Sequence, residues 1–589
     1  MPRSGGSRGS RRSRKALALA AGVALAAPLA LAAPARGAEP APYTVTPLRF
    51  TVEAGGRTCT VDADLYRPAG VDAGHPAPAV LATNGFGGSK NDGSTDAIGK
   101  AVAARGYVGL VYSGLGFGKS GCLISLDDPR TDGRAAARLV DFLGGTRAAD
   151  DGTRADFVSQ DGAGDPRVGM IGGSYGGAVQ LAAATDPRLD ALVPLVTWND
   201  LAYSLAPNSA DRATPGVFKW QWANGFYLMG EGQPLLVPSL DPSRINSLGC
   251  LHFVTDACDT VRLLNSGRYP QAETEKMLAY ARSVSPVSYL DRVKAPTLVV
   301  QGQSDSLFDL NEATDTYRRL QAQGTETKMI WQSWGHSGGA APGELDLGGG
   351  DLEASYVGRR VLAWFDRHLR GNTAADTGPE FAYYRSWQSG YGTADAVPAR
   401  NRKFYLSGDG KLVDNRNEVA LGSRSYANWL VPTSHSGSSL TGLIGLPDPQ
   451  PYDTPGTYAA WTSGPLSEPV DVVGAPKARL RVESPRTEAV QDSGDAADKL
   501  VLFAKVYDIA PDGTKTLVNR LVAPVRVPDV TRPFTVELPA IVHRYATGHR
   551  LQLVIAGSDT AYFGNRGIKP VTVTSAPDDT GTLELPVVN

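Results

Sequence analysis

Patterns that bind metals or nucleic acids are scarce in this sequence. Its 589 residues include four cysteines and seven histidines, without a C-x-x-C pair or a Cys/His cluster, which argues against a metal centre. Lys and Arg number 58 against 60 Asp and Glu, a net charge of −2, whereas a nucleic-acid partner would require a basic face. With 42% apolar and 20% charged residues, the composition is that of a globular protein.

Long apolar runs are also absent, with one exception near the N-terminus. Residues 1–15 carry six basic residues and no acid, residues 16–33 read ALALAAGVALAAPLALAA, and PARGAEPAP follows. These are the three parts of a secretory signal, so we predict a signal peptide over residues 1–38 and a secreted protein. The alternative is a transmembrane anchor, but the run is rich in alanine and contains Pro28.

Removal of residues 1–38 takes away seven basic residues and no acid, leaving 51 basic and 60 acidic residues, a net charge of −9. We therefore expect no nucleic-acid partner and no membrane span in the mature chain. Arg11 and Arg12 are compatible with twin-arginine export, but the Phe-Leu that usually follows them is missing. The export route stays open.

The four cysteines form an even set in a chain that we expect to be exported, which predicts two disulfides. Cys250 and Cys258 are close in the sequence and form the safer pair. Cys59 and Cys122 would then pair by elimination. Free buried thiols are the alternative.

The chain changes its pattern three times. Residues 39–195 alternate short apolar runs with helical patterns, which predicts an α/β sheet with crossover helices. Residues 196–288 are rich in aromatics and helix-like, and the strand–loop pattern resumes over residues 289–375, so the middle segment is typical of an inserted helical cap. An amphipathic helix ending at Gly371 closes this part. Short alternating runs over residues 380–589 then predict an all-β domain of the sandwich or jelly-roll type.

The stretch IGGSYGG at residues 171–177 contains a G-x-S-x-G motif around Ser174. A strand pattern precedes it and a helix-forming run follows directly. A sharp strand-to-helix turn of this kind strains the backbone of its serine and needs small neighbours. The motif therefore predicts a nucleophile elbow that exposes the Ser174 hydroxyl at the edge of the sheet.

A serine nucleophile needs a base and an acid that orients the base. In α/β-hydrolases the chain order is serine, acid, histidine. His336, in the loop SWGHSGG after an apolar strand, fits the base, and the remaining histidines lie before the serine, in the cap, in the closing helix or in the β-rich region. Asp305, just past the strand TLVVQG, fits the acid. Asp309 follows it and fits the N-terminus of a helix better.

An oxyanion hole needs two donors that are in place before the reaction starts. The backbone N–H of Tyr175, directly after the nucleophile, is the first candidate. The loop LATNGFGGSK after an early strand supplies the second, from the N–H of Phe86 or Gly87. A solvated glycine turn is the alternative interpretation of that loop.

Together, GGSYGG, GQSD, SWGH, the inserted cap and the C-terminal β-domain resemble the cocaine-esterase / Xaa-Pro dipeptidyl-peptidase family, whose members are α/β-hydrolases with a jelly-roll domain. The runs LFAKVYDIAPDGT and HRLQLVIAGSD resemble that family's β-domain strands. The resemblance implies a triad of Ser174, His336 and Asp305, an acyl-enzyme intermediate and no cofactor. It also implies a substrate pocket between the sheet, the cap and the jelly roll.

One position departs from the family pattern. Family members often carry a tyrosine after the early strand, and its hydroxyl stabilises the oxyanion. The matching position here is Phe86, which has no hydroxyl to donate. Either backbone N–H groups complete the hole or another hydroxyl takes its place.

The first functional hypothesis is a secreted serine hydrolase that cleaves peptides as an Xaa-Pro dipeptidyl-peptidase does. It needs an acidic anchor for the substrate amine, and the cap offers Asp200, Asp211 and Glu231. The alternative is a secreted acyl esterase with the same triad and an aromatic wall in the cap. A distant alternative is a non-catalytic polymer-binding protein. The candidate substrate-binding residues are Trp198, Trp220, Trp222 and Glu231, with Phe218 and Phe226 as further aromatics of the wall.

Overall fold

The computed structural model of the protein describes residues 42–236, 241–345, 352–437 and 449–588. The predicted signal peptide over residues 1–38 lies outside the described residues. Within the described ranges, no helix combines the length and the apolar character needed to cross a membrane.

In the described ranges, twelve strands precede residue 395, and ten of them form one sheet. In chain order they are β1 (Tyr43–Ala54), β2 (Arg57–Pro68), β3 (Ala79–Thr83), β4 (Val108–Tyr112), β5 (Gln160–Gly162), β6 (Asp165–Pro166), β7 (Val168–Gly173), β8 (Leu189–Leu195), β9 (Thr297–Gly302), β10 (Thr327–Gln332), β11 (Phe381–Arg385) and β12 (Gly390–Ala394). The spatial order of the sheet is β1-β2-β4-β3-β7-β8-β9-β10-β11-β12, while β5 and β6 form a separate hairpin. Parallel pairing runs from β4 to β11, and antiparallel strands close both edges.

Ten α-helices accompany the strands in the described part of the chain. They are α1 (Gly93–Ala104), α2 (Asp132–Leu143), α3 (Tyr175–Ala183), α4 (Leu201–Leu205), α5 (Trp220–Gly232), α6 (Thr255–Asn265), α7 (Gln271–Ser283), α8 (Leu310–Ala322), α9 (Tyr356–Arg370) and α10 (Pro485–Glu488). Helices α4 to α7 lie between β8 and β9, where the sequence predicted a cap. Helix α9 ends at Gly371, whose φ of 66° is left-handed, as the sequence predicted.

Helices cover both faces of the sheet because successive side chains of a strand point in opposite directions. In β3, Leu81 belongs to the core that includes α2 and α3, whereas its neighbour Val80 belongs to the core that includes α1 and α9. Strands buried on both faces must be apolar throughout, which explains the continuous Val/Leu/Ala runs.

The first sheet continues past the domain boundary predicted at residue 380. Strands β11 and β12, which the sequence analysis assigned to the C-terminal β-domain, extend the first sheet instead. Phe381 pairs in parallel with Met329 of β10, and β12 folds back on β11. Strand β11 is buried over Phe381, Ala382, Tyr383 and Tyr384, as a sheet strand covered on both sides should be. The sequence pattern of a strand as short as β11, with five residues, does not specify which sheet the strand joins.

The C-terminal region is all β apart from short helical turns. Its strands are β13 (Asn401–Leu406), β14 (Lys411–Val413), β15 (Gly422–Ala427), β16 (Ser434–His435), β17 (Tyr452–Asp453), β18 (Tyr458–Ser463), β19 (Val470–Gly474), β20 (Lys477–Leu480), β21 (Val501–Ile509), β22 (Lys515–Leu517), β23 (Ala523–Arg526), β24 (Phe534–Glu537), β25 (Ile541–Tyr545), β26 (Arg550–Ala556), β27 (Pro570–Ser575) and β28 (Thr582–Pro586). The main sheet has the order β22-β21-β26-β18-β14-β13-β28-β20-β24, with β23 beside β21. One hydrophobic core joins this sheet to the small sheets β15–β27 and β19–β25, which gives the predicted two-layered β-domain.

Buried hydrogen bonds fasten the β-domain to the cap. The guanidinium of Arg526 is 2% exposed and donates to the carbonyls of Pro215 and Gly216 in the cap, at 3.0 and 3.2 Å. It also donates to the carbonyl of Ala496, at 2.7 Å. A buried guanidinium is costly unless its donors are satisfied, so these contacts fix the cap against the β-domain.

Both predicted disulfides are present, between Cys59 and Cys122 and between Cys250 and Cys258. The first bond joins β2 to the loop after β4, across 63 residues of chain, and the second closes a span of eight residues within the cap.

Replacing Cys59 and Cys122 by serine should lower the free energy of unfolding by about 2–5 kcal/mol, because the bond closes a long loop of the unfolded chain. The matched control is the double serine variant at Cys250 and Cys258, whose shorter loop predicts a loss smaller by about 2 kcal/mol. Thermal and guanidinium unfolding of both variants measure the difference. An equal or larger loss for the Cys250/Cys258 variant would contradict the loop-length argument.

Candidate active site

Ser174 occupies the turn between β7 and α3 with φ 56° and ψ −118°. A non-glycine residue in this region costs of order 1–3 kcal/mol and persists only when its surroundings hold it there. The Ser174 N–H donates to Leu195 O at 2.9 Å, and the Ser174 carbonyl accepts from Thr197 Oγ1 at 2.8 Å. A Cβ on Gly176 would lie 2.5 Å from Thr83 O, so the turn tolerates no side chain there.

His336 lies in the loop after β10 and reaches both predicted partners. Its Nε2 lies 3.0 Å from Ser174 Oγ, and its Nδ1 lies 2.6 Å from Asp305 Oδ2. With Nδ1–H donated to the carboxylate, Nε2 is free to accept the serine proton. The imidazole packs perpendicular to the rings of Trp222 and Phe308, with centroids 6.2 and 5.2 Å away.

Asp305 lies in the loop after β9 and is fully buried. Its Oδ1 accepts the backbone N–H groups of Leu307 and Phe308 at 3.0 and 2.8 Å, while Oδ2 accepts from His336. These bonds fix the carboxylate in the orientation that the imidazole needs. A Cβ on Gly335, one residue before His336, would lie 2.6 Å from the Asp305 Cβ, so the two loops approach through a glycine.

Asp309, the other acid considered from the sequence, caps α8. Its Oδ1 accepts the N–H of Asn311 at 3.0 Å and its Oδ2 accepts from the hydroxyl of Tyr203 at 3.2 Å. The structure therefore brings together Ser174, His336 and Asp305 and gives Asp309 the helix-terminal place that the sequence favoured.

The loop that follows β3 lies beside the elbow. A Cβ on Gly85 would be 3.9 Å from the Ser174 Cβ. The Asn84 side chain holds this loop by donating to Gly85 O at 2.7 Å and accepting from Gly114 N–H at 3.0 Å. The amides of Phe86 and Tyr175, the predicted oxyanion donors, make no hydrogen bond within the described residues.

The rings of these two residues serve the core and not the oxyanion. The Phe86 ring packs against Phe117, Tyr175, Phe226 and Phe253, with centroid distances of 5.1 to 6.2 Å. The Tyr175 ring is 3% exposed. Phe86 and Tyr175 can therefore act on a substrate oxygen through their backbone alone.

Comparison with known proteins gives two family matches. Residues 56–338 match the X-Pro dipeptidyl-peptidase (S15) family, and residues 366–574 match the C-terminal non-catalytic domain of X-Pro dipeptidyl-peptidases. The chain belongs to this family. It is a serine hydrolase, and the family resemblance and the α/β-hydrolase architecture that the sequence indicated are confirmed.

The family relatives include enzymes of more than one kind. The cocaine esterase of Rhodococcus sp. is 23% identical over 551 residues, which cover 84% of this chain and 88% of that protein. Proteins of Mycobacterium bovis and Mycobacterium tuberculosis are 23% identical over 348 residues, and this match covers about half of their length, 52%. Two solved structures share the fold, each at a TM-score of 0.64 and 16% identity. They are an aminopeptidase from a marine sediment archaeon, Thaumarchaeota archaeon (93% of this chain, 97% of that one), and an α-amino acid ester hydrolase (94% and 98%).

Two of the predicted substrate-binding residues border the triad. Trp222 is fully buried, stacks on Phe226 with ring centroids 5.7 Å apart and packs perpendicular to the ring of His336. Trp198 is 4% exposed and packs against Phe308, 5.1 Å away. Both rings support the residues around His336 from the cap side, so they form the inner layer of an aromatic wall.

The other two predicted substrate-binding residues, Trp220 and Glu231, have different contacts. Trp220 is 37% exposed and donates its indole N–H to Thr560 O at 2.9 Å, which ties the cap to the β-domain. Glu231 accepts the backbone N–H groups of Leu251 and His252, at 2.6 and 3.0 Å. Neither contact involves the triad. An aromatic or acidic residue in a helical pattern does not reveal which neighbour it will face.

The remaining cap acids also bind backbone amides. Asp200 is the N-cap of α4 and accepts the N–H of Ala202 at 3.0 Å. Asp211 accepts the N–H groups of Ala213 and Thr214, at 2.7 and 2.5 Å. The three acids that could anchor a substrate amine therefore stabilise turns of the cap.

An apolar cavity that sequence reasoning missed lies inside the cap. Helices α4 to α7 and the ring of Phe86 surround about 80 Å³, and among the residues that the structure describes no acidic or basic side chain lines this space. Phe226 forms part of its wall and stacks on Trp222, which in turn packs against the ring of His336. Small and apolar residues of α6 and α7 line the far side, where their spacing predicts only an ordinary helix core.

Asp305→Asn should lower kcat by about 10⁴-fold, because an amide can donate to His336 and stabilise the wrong tautomer. The matched control is Asp309→Asn, four residues along, which keeps a good N-cap side chain and makes no contact with His336. Steady-state kinetics on a chromogenic ester, together with circular dichroism to show that both variants fold, measure the effect. Comparable losses in the two variants would sink the assignment of Asp305.

Proposed function

We propose that this protein is an acyl esterase that hydrolyses esters of apolar carboxylic acids through an acyl-enzyme on Ser174. The observation that carries the proposal is the apolar cavity behind Phe86, whose lining holds no charged side chain. An apolar site with few polar groups is typical of small-molecule binding. Phe86 contributes its ring to the cavity and its N–H to the oxyanion region, so a bound ester could place its carbonyl at Ser174 and its acyl group towards the cap.

The proposed reaction proceeds in two halves. His336 Nε2 takes the proton of Ser174 Oγ as the oxygen attacks the ester carbonyl, and Asp305 stabilises the imidazolium that forms. The N–H groups of Phe86 and Tyr175 donate to the oxyanion of the tetrahedral intermediate. The imidazolium then protonates the leaving alcohol, which departs and leaves an acyl-enzyme. A water molecule, activated by His336, hydrolyses the acyl-enzyme and restores Ser174.

The cap acids favour an ester over an Xaa-Pro peptide. A dipeptidyl-peptidase binds the free ammonium of its substrate, and a desolvated ammonium without a partner is costly. Asp200, Asp211 and Glu231 each accept backbone N–H groups instead. The match to the X-Pro dipeptidyl-peptidase family supports the peptidase as the second candidate.

We also propose that the protein is exported. Two disulfides support this proposal, because such bonds persist in oxidising compartments and are rare in the cytosol. Size-resolved detection of the protein in culture medium and in cells, with and without residues 1–38, tests it. Retention of the full-length chain in the cytosol would contradict it.

Substrate choice separates the two candidate activities. The protein should hydrolyse p-nitrophenyl acetate, butyrate and octanoate with a kcat/KM at least about 10²-fold above that for Ala-Pro-p-nitroanilide, and Ser174→Ala should abolish all of it. Faster turnover of Ala-Pro-p-nitroanilide than of the esters would select the dipeptidyl-peptidase instead, provided that N-acetylation of the anilide substrate blocks this turnover.

The cavity itself can be tested on helix α7. Ala281 lines the cavity, whereas Ala279 lies on the exposed side of the same helix. Ala281→Phe should lower kcat/KM for the octanoate about tenfold or more relative to the acetate, because the ring fills the space for a long acyl chain. Ala279→Phe is the matched control and should leave that ratio unchanged. If both variants keep the wild-type ratio, the cavity is not the acyl site.

A further inference from the structure

Lys219, the residue before α5 in the cap, points its ammonium at the loop that carries Asp305. Lys219 is 5% exposed, and its Nζ donates to the carbonyls of Ser306 and Leu307, at 2.8 and 3.0 Å. A buried ammonium is costly without partners, so its position beside these carbonyls needs a reason.

The two peptide groups whose carbonyls accept from Lys219 also contact Asp305, through their N–H groups. The peptide that ends in Ser306 C=O supplies the Leu307 N–H, and the next one joins Leu307 C=O to the Phe308 N–H. Both N–H groups donate to Asp305 Oδ1, at 3.0 and 2.8 Å. Two peptide dipoles therefore lie head to tail between a buried ammonium and a buried carboxylate. Hydrogen bonds in such a chain polarise and strengthen one another.

The cap also contacts the loop of His336 through this turn. Trp222, one turn into α5, donates its indole N–H to Ser306 Oγ at 3.3 Å. Ser306 Oγ lies 2.5 Å from Ser337 Oγ, in the residue directly after His336. The segment that begins α5 therefore reaches the loops of both the acid and the base.

Carboxylates surround the ammonium. Burial lowers the pKa of Lys219 to about 8, and the nearby Asp309, Asp305 and Glu312 partly oppose this shift. Burial raises the pKa of Asp309 and raises that of Glu312 to about 8, and the guanidinium of Arg212 opposes both shifts. Lys219 is therefore mostly charged at neutral pH and loses its proton within the range in which an esterase can be assayed.

We propose that Lys219 is a positioning residue that holds Asp305 in place through the Ser306–Leu307 and Leu307–Phe308 peptides and so ties the cap to the triad. The inference rests on the proposed catalytic role of Ser174, His336 and Asp305. The charge of Lys219 has a consequence for the reaction. The clamp loosens when Lys219 loses its proton, so activity falls on the alkaline side.

The experiment compares full-length wild type, Lys219→Met, Lys219→Arg and Ser174→Ala between pH 5.5 and 9.5. One readout is kcat/KM for p-nitrophenyl butyrate, and the other is the rate of labelling by a fluorophosphonate, which needs no matched substrate. The control is Lys276→Met, because Lys276 is an exposed lysine of α7 with a side chain 72% accessible. Circular dichroism and thermal unfolding show which variants fold.

Wild type should lose activity with a midpoint near pH 8. Lys219→Met should react about tenfold more slowly at pH 7 and lack this decline. Lys219→Arg keeps a charge that does not titrate, so it should recover part of the rate without the decline. Lys276→Met should follow wild type.

Identical pH profiles for wild type and Lys219→Met, or an equal loss of activity at every pH, would overturn the proposal. Should Lys219→Met fail to fold, the wild-type decline near pH 8 and its absence in Lys219→Arg decide the question instead. Fluorophosphonate labelling that persists in Ser174→Ala would contradict the proposed triad itself. This outcome is distinguishable from one that contradicts only the role of Lys219.

Discussion

The strained backbone of Ser174 is the constraint on which the rest of the site depends. A residue held at φ 56° stays there only because β7, α3 and the segment after β8 fix it on several sides. The turn directs Ser174 Oγ away from the sheet, and the position of the hydroxyl then decides where a base must stand. In the sheet, β9 and β10 follow β7 and β8 in spatial order. Parallel strands end at one edge, so Asp305 and His336 emerge beside the serine without any long connection.

Burial of Asp305 fixes the orientation of its carboxylate and also requires hydrogen-bond partners for it. Asp305 is fully enclosed, and a buried carboxylate needs every oxygen satisfied. His336 supplies one bond and the loop's own amides supply the others. Those amides belong to peptides whose carbonyls need partners too, and Lys219 meets that need from the cap. The buried Asp305 carboxylate is thus accompanied by a second buried charge, the Lys219 ammonium. Through this ammonium, the cap takes part in the electrostatic support of the triad.

The parts of the molecule that local sequence can encode were predicted well. Gly176 lies two residues after the serine, and the strand before the serine and the helix after it are its neighbours in the chain, so the elbow is visible in seven letters. The order of Asp305 and His336 follows from strand alternation. Long-range choices were not visible: β11 joins the first sheet through pairing with β10, and Glu231 binds amides twenty residues away. Such contacts depend on tertiary packing, which a single pattern of apolar and polar residues does not specify.

The cap's attachments explain why specificity should lie in α6 and α7 and less in α5. Trp220, Trp222 and Lys219 fasten the start of α5 to the β-domain and to the triad loops. A change in that segment would disturb the hydrogen bonds of catalytic loops, so α5 is poorly placed to vary with substrate. Helices α6 and α7 line the cavity mainly with small and apolar side chains that bear no contact to the triad. Substitutions there alter the volume offered to an acyl group while Ser174, His336 and Asp305 keep their geometry, which is how one hydrolase framework can serve different esters.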